Sequence, residues 1–308
     1  MGSYISTDSF VQLPFGTKFI IGNNIEISSK SSDEEIINLV VNSNCTHIQT
    51  MEYPSERELT ILNEIFRLRP DIAFRMYNMF GDSIDLLFLL KLPNLRKLYL
   101  HIYTKITNIE VINKLELQTL SLSCFNVKDY SFLKDAFVGL KNLTIYLEDK
   151  TYKMDIANIV HLENLESLSI RNVVKGLDKI SLFKNLKSLA LRAIKFSDYK
   201  FLNETSINKL SLFMQDSAVF DTIDNNDNIK ELHLWMNKKL YDVSFILKFK
   251  NLEKLIITDQ SKINFIPDFK VLTELKEVYW LYEKKEKIQK YFNNNVKIYT
   301  SFNPADLD

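Results

Sequence analysis

Residues 162–172, LENLESLSIRN, set a spacing that most of the chain repeats: Leu162, Leu165, Leu168 and Ile170. FKNLKSLALRA at 183–193, LPNLRKLYLHI at 92–102 and FKNLEKLIITD at 249–259 share it. The middle hydrophobe falls at Leu98, Leu120, Leu143, Leu168, Leu189, Leu210, Leu232, Leu255 and Val278, in steps of 22, 23, 25, 21, 21, 22, 23 and 23 residues. The closing L-x-L has period two, so both residues face one side of a short strand. One unit cannot bury its leucines alone. Stacked neighbours supply a continuous core, with strands running in parallel at roughly 4.8 Å per step.

This period and pattern resemble the leucine-rich repeat superfamily over about residues 33–300, and the units are most similar to short bacterial and phosphatase-regulator types. The resemblance implies an α/β fold: a leucine-rich repeat solenoid, with a curved parallel β-sheet on the concave face and short helices and turns on the convex face. The related types carry an Asp-x-Ser-aromatic turn. Asp129-Tyr-Ser-Phe-Leu133, Asp198-Tyr-Lys-Phe-Leu202 and Asp242-Val-Ser-Phe-Ile246 stand at that offset. An Asp there can accept from amides just downstream and start a helical turn. Many family members also place Asn three residues after the strand as a buried ladder. Here that position holds Tyr103, Phe125, Glu148, Val173, Ile194, Gln215, Asn237, Gln260 and Glu283, so the ladder is expected to be largely missing.

The chain has 308 residues, which alone suggests about two domains, but a solenoid overrides that prior. Only six Gly and six Pro leave little room for flexible linkers, and the zero formal charge argues against a nucleic-acid partner. No apolar run approaches the roughly 18 residues of a membrane helix, and the N-terminus lacks a signal peptide's basic and apolar blocks. No membrane partner is therefore expected. Met1-Gly2-Ser3-Tyr4-Ile5-Ser6 matches a bare myristoylation pattern, read as chance. Cys45 and Cys124 fall three strands apart, roughly 14 Å in the repeat register, too far for a disulfide. They are read as reduced and buried, which fits a cytoplasmic protein.

Four segments are expected. Residues 1–32 form an N-terminal cap, irregular to 18, with a hairpin of Phe19–Ile21 and Ile25–Ile27 turning at Gly22-Asn23-Asn24. Residues 33–91 are degenerate repeats with longer helices. Ser32 caps the first, Ser55 and Glu58 form a capping box on the second, and a third covers about Asp82–Lys91. Strands are expected at His47–Met51 and Ile72–Tyr77. Residues 92–282 are the regular repeats. Residues 283–308 are a C-terminal cap: a helix over Glu283–Phe292, a strand over Val296–Thr300 and a polar tail.

No nucleotide, nucleophile-elbow, zincin or C-x-x-C motif occurs. The histidines His47, His101, His161 and His233 are too scattered in the register to share a metal ion. The reading is therefore no enzyme, no cofactor and no metal.

Residues flanking the core leucines should line the concave face. Its central column reads Gln49, Arg75, Tyr99, Ser121, Thr144, Ser169, Ala190, Ser211, His233, Ile256 and Tyr279. The next column reads Met51, Tyr77, His101, Ser123, Tyr146, Arg171, Arg192, Phe213, Trp235, Thr258 and Leu281. Tyr, Trp and Arg most often carry interface energy. The candidate partner-binding set is Arg75, Tyr77, Tyr99, His101, Tyr146, Arg171, Arg192, Phe213, His233, Trp235 and Tyr279. Lys97, Lys209 and Lys254 outnumber Glu231 and Glu277 in the first column, so the face leans basic and suggests a moderately acidic protein partner.

The family resemblance implies a non-catalytic protein-binding scaffold. Inhibitor or immunity protein is the preferred role, and the Lys/Asn/Ile-rich composition suggests a bacterial source. The alternatives are a regulatory or targeting subunit of a phosphatase or similar enzyme, and an anionic-ligand or nucleic-acid binder working through Arg171 and Arg192.

Overall fold

The computed structural model describes residues 10–13, 18–21, 25–28, 31–78, 83–135, 138–149, 151–173, 175–195, 198–281 and 283–301. The chain divides into two compact units, Met1–Met154 and Asp155–Asp308.

In the first unit, strand β1 (Phe10–Leu13) pairs in parallel with β4 (His47–Thr50) and antiparallel with β2 (Lys18–Ile21). β2 continues antiparallel to β3 (Ile25–Ser28). The hairpin is as expected, although its turn at 22–24 lies outside the described residues. So does the Met1–Ser6 segment. The expectation of an irregular chain up to residue 18 is wrong for Phe10–Leu13, which extends the sheet by one parallel strand. FVQL alternates too briefly to be read as a strand without its neighbour.

From β4 the order is β5 (Ala73–Asn78), β7 (Lys97–Ile102), β9 (Thr119–Cys124) and β10 (Asn142–Tyr146), each parallel to the last. Helices α1 (Asp33–Val41) and α2 (Glu56–Leu68) cross between the early strands. Ser32 with Glu35 and Ser55 with Glu58 close capping boxes, each satisfying two orphan amides. The helix expected over 82–91 is not formed. Ser83–Asp85 is a strand (β6) pairing with β8 (Lys105–Thr107), and Leu86–Lys91 is a 3-10 turn. Six residues of one repeat leave no length for an α-helix once Asp85 has started the turn.

The second unit is seven parallel strands among its described residues. They are β11 (Ser167–Arg171), β12 (Ser188–Arg192), β13 (Lys209–Phe213), β14 (Glu231–Trp235), β15 (Lys254–Thr258), β16 (Glu277–Trp280) and β17 (Lys297–Tyr299). The terminal helix shrinks to α3 (Lys285–Ile288) and a 3-10 turn at Gln289–Tyr291.

The marker hydrophobes Leu98, Leu120, Leu143, Leu168, Leu189, Leu210, Leu232, Leu255 and Val278 are all buried, as the spacing demands. Truncating any one to Ala removes several buried methylenes, at a cost of about 2–5 kcal/mol. Most returns of the repeats are 3-10 turns opened by Asp, with Asn108 and Gly176 in its place at two of them. Asp129 accepts from Ser131 N (2.8 Å), Asp198 from Lys200 N (3.1 Å) and Asp242 from Ser244 N (2.7 Å), as their motif predicts. Asp85, Asp155, Asp216 and Asp268 do the same work without that motif. At Gly176 (φ 72°) the left-handed backbone favours glycine, and a Cβ there would press on the Asp155 carboxylate and force it to shift.

Cys45 and Cys124 are buried thiols that form no disulfide among the described residues. Burial pushes the Cys124 thiol up to about 12, which keeps it protonated and unreactive.

A short amide ladder runs through Gln215, Asn237 and Gln260, two positions more than Asn alone would mark, while the other six of the nine positions hold no amide side chain. Gln215 donates to Leu191 O and Phe213 O (2.9 Å each), and its own amide donates to Asn237 Oδ1 (2.8 Å). Asn237 donates to Leu212 O (2.9 Å), and Gln260 accepts from Asn237 N (2.7 Å) and donates to Asn237 O (3.2 Å). A Gln supplies the same amide chemistry as Asn with one more methylene, so a search for Asn alone passes over it.

Candidate functional site

The register holds the expected columns in each unit. In the first, Gln49, Arg75, Tyr99, Ser121 and Thr144 are successive cross-strand neighbours, and Tyr77 pairs with His101 and His101 with Ser123. In the second, Ser169, Ala190, Ser211, His233, Ile256 and Tyr279 form one row, and Arg171, Arg192, Phe213, Trp235 and Thr258 the next.

Two clusters stand out, one in each unit. In the second unit the Arg192 guanidinium lies 5.2 Å from both the Phe213 and Trp235 ring centroids. Phe213 meets Trp235 edge to face at 5.8 Å and His233 at 4.9 Å. Trp235 Nε1 donates to Asp259 Oδ2 at 2.5 Å. The group is half-buried rather than fully exposed, because each ring covers its neighbour. Burial, then Lys209 and Arg192, push the His233 imidazole down to about 4, so it is neutral at ordinary pH. A cation over two aromatic faces is held by their quadrupoles, and the stack is rigid before any partner arrives.

In the first unit Arg75 is the centre. Its Nη1 donates to Gln49 Oε1 (3.0 Å) and its Nη2 contacts His101 Nδ1 (3.1 Å). Its guanidinium lies 5.1 Å from the Tyr77 centroid. Tyr99 stands between His47 (5.4 Å) and His101 (6.5 Å), and a row of rings continues from Tyr77 to Tyr103 and Phe125. Burial, then the Arg75 charge, push His101 down to about 4. Burial chiefly, with Arg75 and Lys97, also holds His47 below its ordinary value.

Other expected positions differ. Tyr279 is buried at 5% exposure, because Tyr299 of β17 stacks on it at 4.5 Å and Lys254 caps its ring at 4.9 Å. Ile256, Thr258 and Leu281 are buried, as are Ser121, Ser123 and Ser211, whose short side chains lie below taller neighbours in the same rows. Tyr146 is half-buried at the end of β10, and Arg171 pairs with Arg192 across strands β11 and β12. The basic lean of the first column is largely cancelled in the second unit, where Lys209 pairs with Glu231 (2.8 Å) and Lys254 with Glu277 (4.0 Å). His47, Tyr103, Asp259 and Tyr299 were missing from the expected set. His47 stands in the first column, read only for its charges; Tyr103 and Asp259 lie just beyond their strands, and Tyr299 follows an irregular last repeat.

Among the described residues no group of three His, Cys, Asp or Glu could hold a metal ion. No helix among them is long and apolar enough to cross a membrane.

The repeat spacing, the parallel register and the Asp-opened 3-10 returns define a leucine-rich-repeat solenoid fold. No family model matches the chain, and no curated protein does. Among solved structures it is similar to internalin C2 of Listeria monocytogenes, at 14% identity over 80% of this chain and 88% of that one, with a TM-score of 0.34. A leucine-rich-repeat protein of Leptospira interrogans is similar at 18% identity over 84% and 73%, with a TM-score of 0.46. A third, from Bacteroides ovatus, is similar at 10% identity over 97% and 93%, with a TM-score of 0.24. Likenesses this distant carry no functional argument, and the fold rests on this chain's own repeat and register.

Proposed function

We propose that this chain is a non-catalytic protein-binding scaffold that holds a protein partner on the open face of its sheet. The observation that carries the reading is the Arg192–Phe213–Trp235 stack in the second unit. Trp, Tyr and Arg in a preordered, partly desolvated cluster are the residue types on which interface energy concentrates. The Arg171–Arg192 neighbours favour a partner with acidic character over a neutral one. The finer form of the reading is an inhibitor or immunity protein, which predicts that the captured partner loses its own activity on binding.

The test is an affinity capture from native lysate with wild type and an Arg192→Glu/Trp235→Glu double variant as baits. Thermal unfolding of both baits controls for folding. A protein retained by wild type and lost by the folded variant supports the assignment. The same protein on both baits, or none on either, counts against it.

A further inference from the structure

Arg75 sits half-buried on the first unit's sheet with no carboxylate partner among the described residues. An arginine has five N–H donors and stays protonated in proteins. Among the described residues two of them are engaged, by the neutral acceptors Gln49 Oε1 and His101 Nδ1, and the buried Nε makes no hydrogen bond. Because a guanidinium only donates, His101 Nδ1 must be the acceptor, so the imidazole is the neutral tautomer with its proton on Nε2. The other near neighbours are uncharged: Tyr77 under the guanidinium, then Tyr99 and His47. A charge partly removed from water, with dipoles but no counter-charge around it, is costly to the fold. Elsewhere in the unit the described arginines are paired: the exposed Arg57 and Arg67 with Asp33 and Glu64, and the half-buried Arg69 and Arg96 with Asp71 and Glu116.

We propose that Arg75, backed by Tyr77 and flanked by Tyr99 and His101, is a receptor site for one carboxylate side chain of an acidic protein partner. The planar guanidinium matches a carboxylate in shape, and one positive charge answers one negative charge. A phosphate ester carries close to two charges at neutral pH and calls for a cluster of cations. Here the remaining cation near the rings is Lys97, which acts on His47. The flanking tyrosines fit an acidic residue set among apolar or aromatic ones. The site deepens the scaffold reading by naming the chemistry of what is bound. It lies in the other unit from the Arg192–Trp235 stack, so it is tested separately.

The experiment uses the full chain and small probes. N-acetyl-aspartate N-methylamide, a blocked aspartate whose one charge is its side-chain carboxylate, and, in parallel, inorganic phosphate are titrated at neutral pH while the imidazole signals of His47 and His101 are followed by NMR. The comparison is with Arg75→Met and Arg75→Lys. The expected result is saturable movement of the His101 signal with the blocked aspartate, about tenfold or more weaker in Arg75→Met. Arg75→Lys should fall between, since it keeps the charge and loses the fork. Thermal unfolding checks that the variants are folded, and Arg75→Met is expected to melt no lower than wild type because it removes an uncompensated charge. Equal titration of wild type and folded Arg75→Met overturns the site, as does no movement of either signal at millimolar blocked aspartate. Tighter binding of phosphate than of the carboxylate overturns the ligand class. Should Arg75→Met unfold, the Arg75→Lys comparison decides: unchanged affinity in it overturns the fork. None of these failures bears on capture through Arg192 and Trp235.

Discussion

At the scale of single residues, the backbone carries a repeated demand that no side-chain pattern announces. The residue after each strand of the second unit's regular run is left-handed: Asn172 (φ 58°), Ala193 (φ 49°), Met214 (φ 56°), Met236 (φ 50°) and Asp259 (φ 51°). The twist turns each amide toward the next repeat. Ala193 N donates to Phe213 O and Met214 N to Trp235 O, at 2.9 Å each. Asn and Asp tolerate this region, whereas an Ala or Met side chain crowds its own carbonyl, at a cost of about 1–2 kcal/mol. Ala193→Gly should therefore raise stability by about 0.5–1 kcal/mol in urea unfolding, the strain relieved less the entropy of the freer unfolded chain. Ala190→Gly, on the strand itself, should lower it by about 1 kcal/mol. The same sign for both would show that φ at 193 is not strained. A second residue-scale expectation concerns Tyr130, fully buried, its hydroxyl within reach of the Cys124 backbone but in no well-formed hydrogen bond among the described residues. Burial pushes that phenol well above its ordinary range. Tyr130→Phe removes only the costly atom and should leave stability unchanged or raise it by up to about 1 kcal/mol.

At the scale of elements, the amide ladder is the clearest case of cooperation between repeats. Asn237 serves Leu212 O, the Gln215 amide and Gln260 together, and is itself buried. Asn237→Ala strands a carbonyl and an amide inside the turn and should cost about 2–4 kcal/mol. Asn237→Gln should recover only part of it, since the extra methylene must fit a space shaped for Asn. Full recovery would mean that the ladder has slack. The strands were legible because L-x-x-L-x-L fixes both period and face: Leu168 with Ile170, or Leu210 with Leu212, can point only one way once a neighbour is stacked on them. The returns were less legible. Leu86–Lys91 has the apolar content of a helix, yet the space between strands holds only a 3-10 turn. β1 escaped notice because FVQL gains its meaning from pairing with β4, a relation between residues far apart in sequence. The candidate site shows the same division. Arg75, Arg192, Phe213 and Trp235 were placed by alternation alone, whereas the burial of Tyr279 depends on Tyr299, in a repeat with no recognisable leucines.

For the molecule as a whole, the chemistry of the sheet face sets how stability responds to acid. His101 in the first unit and His233 in the second are both held at about 4, against 6.5 for a free imidazole, by burial first and then by neighbouring cations. Between those two values the unfolded chain binds a proton at each site and the folded chain does not. Stability is therefore fully present above about pH 6.5 and falls as the pH drops toward 4. Each site should cost the fold about 2 kcal/mol between pH 7 and pH 5, with His47, shifted in the same direction, adding to it. The carboxylates held low by their partners, Asp155 and Asp216 among them, act only further down. Their contribution is lost as the pH falls below the ordinary carboxylate range. Urea unfolding at pH 7 and pH 5 measures the sum, and His233→Gln should remove about 2 kcal/mol of the difference while leaving the His101 share in place. An unfolding midpoint that does not move between pH 7 and pH 5 would mean that both imidazoles are already solvated. The Arg75 and Arg192 clusters would then be open to water, and the preorganisation on which partner binding is argued would be gone.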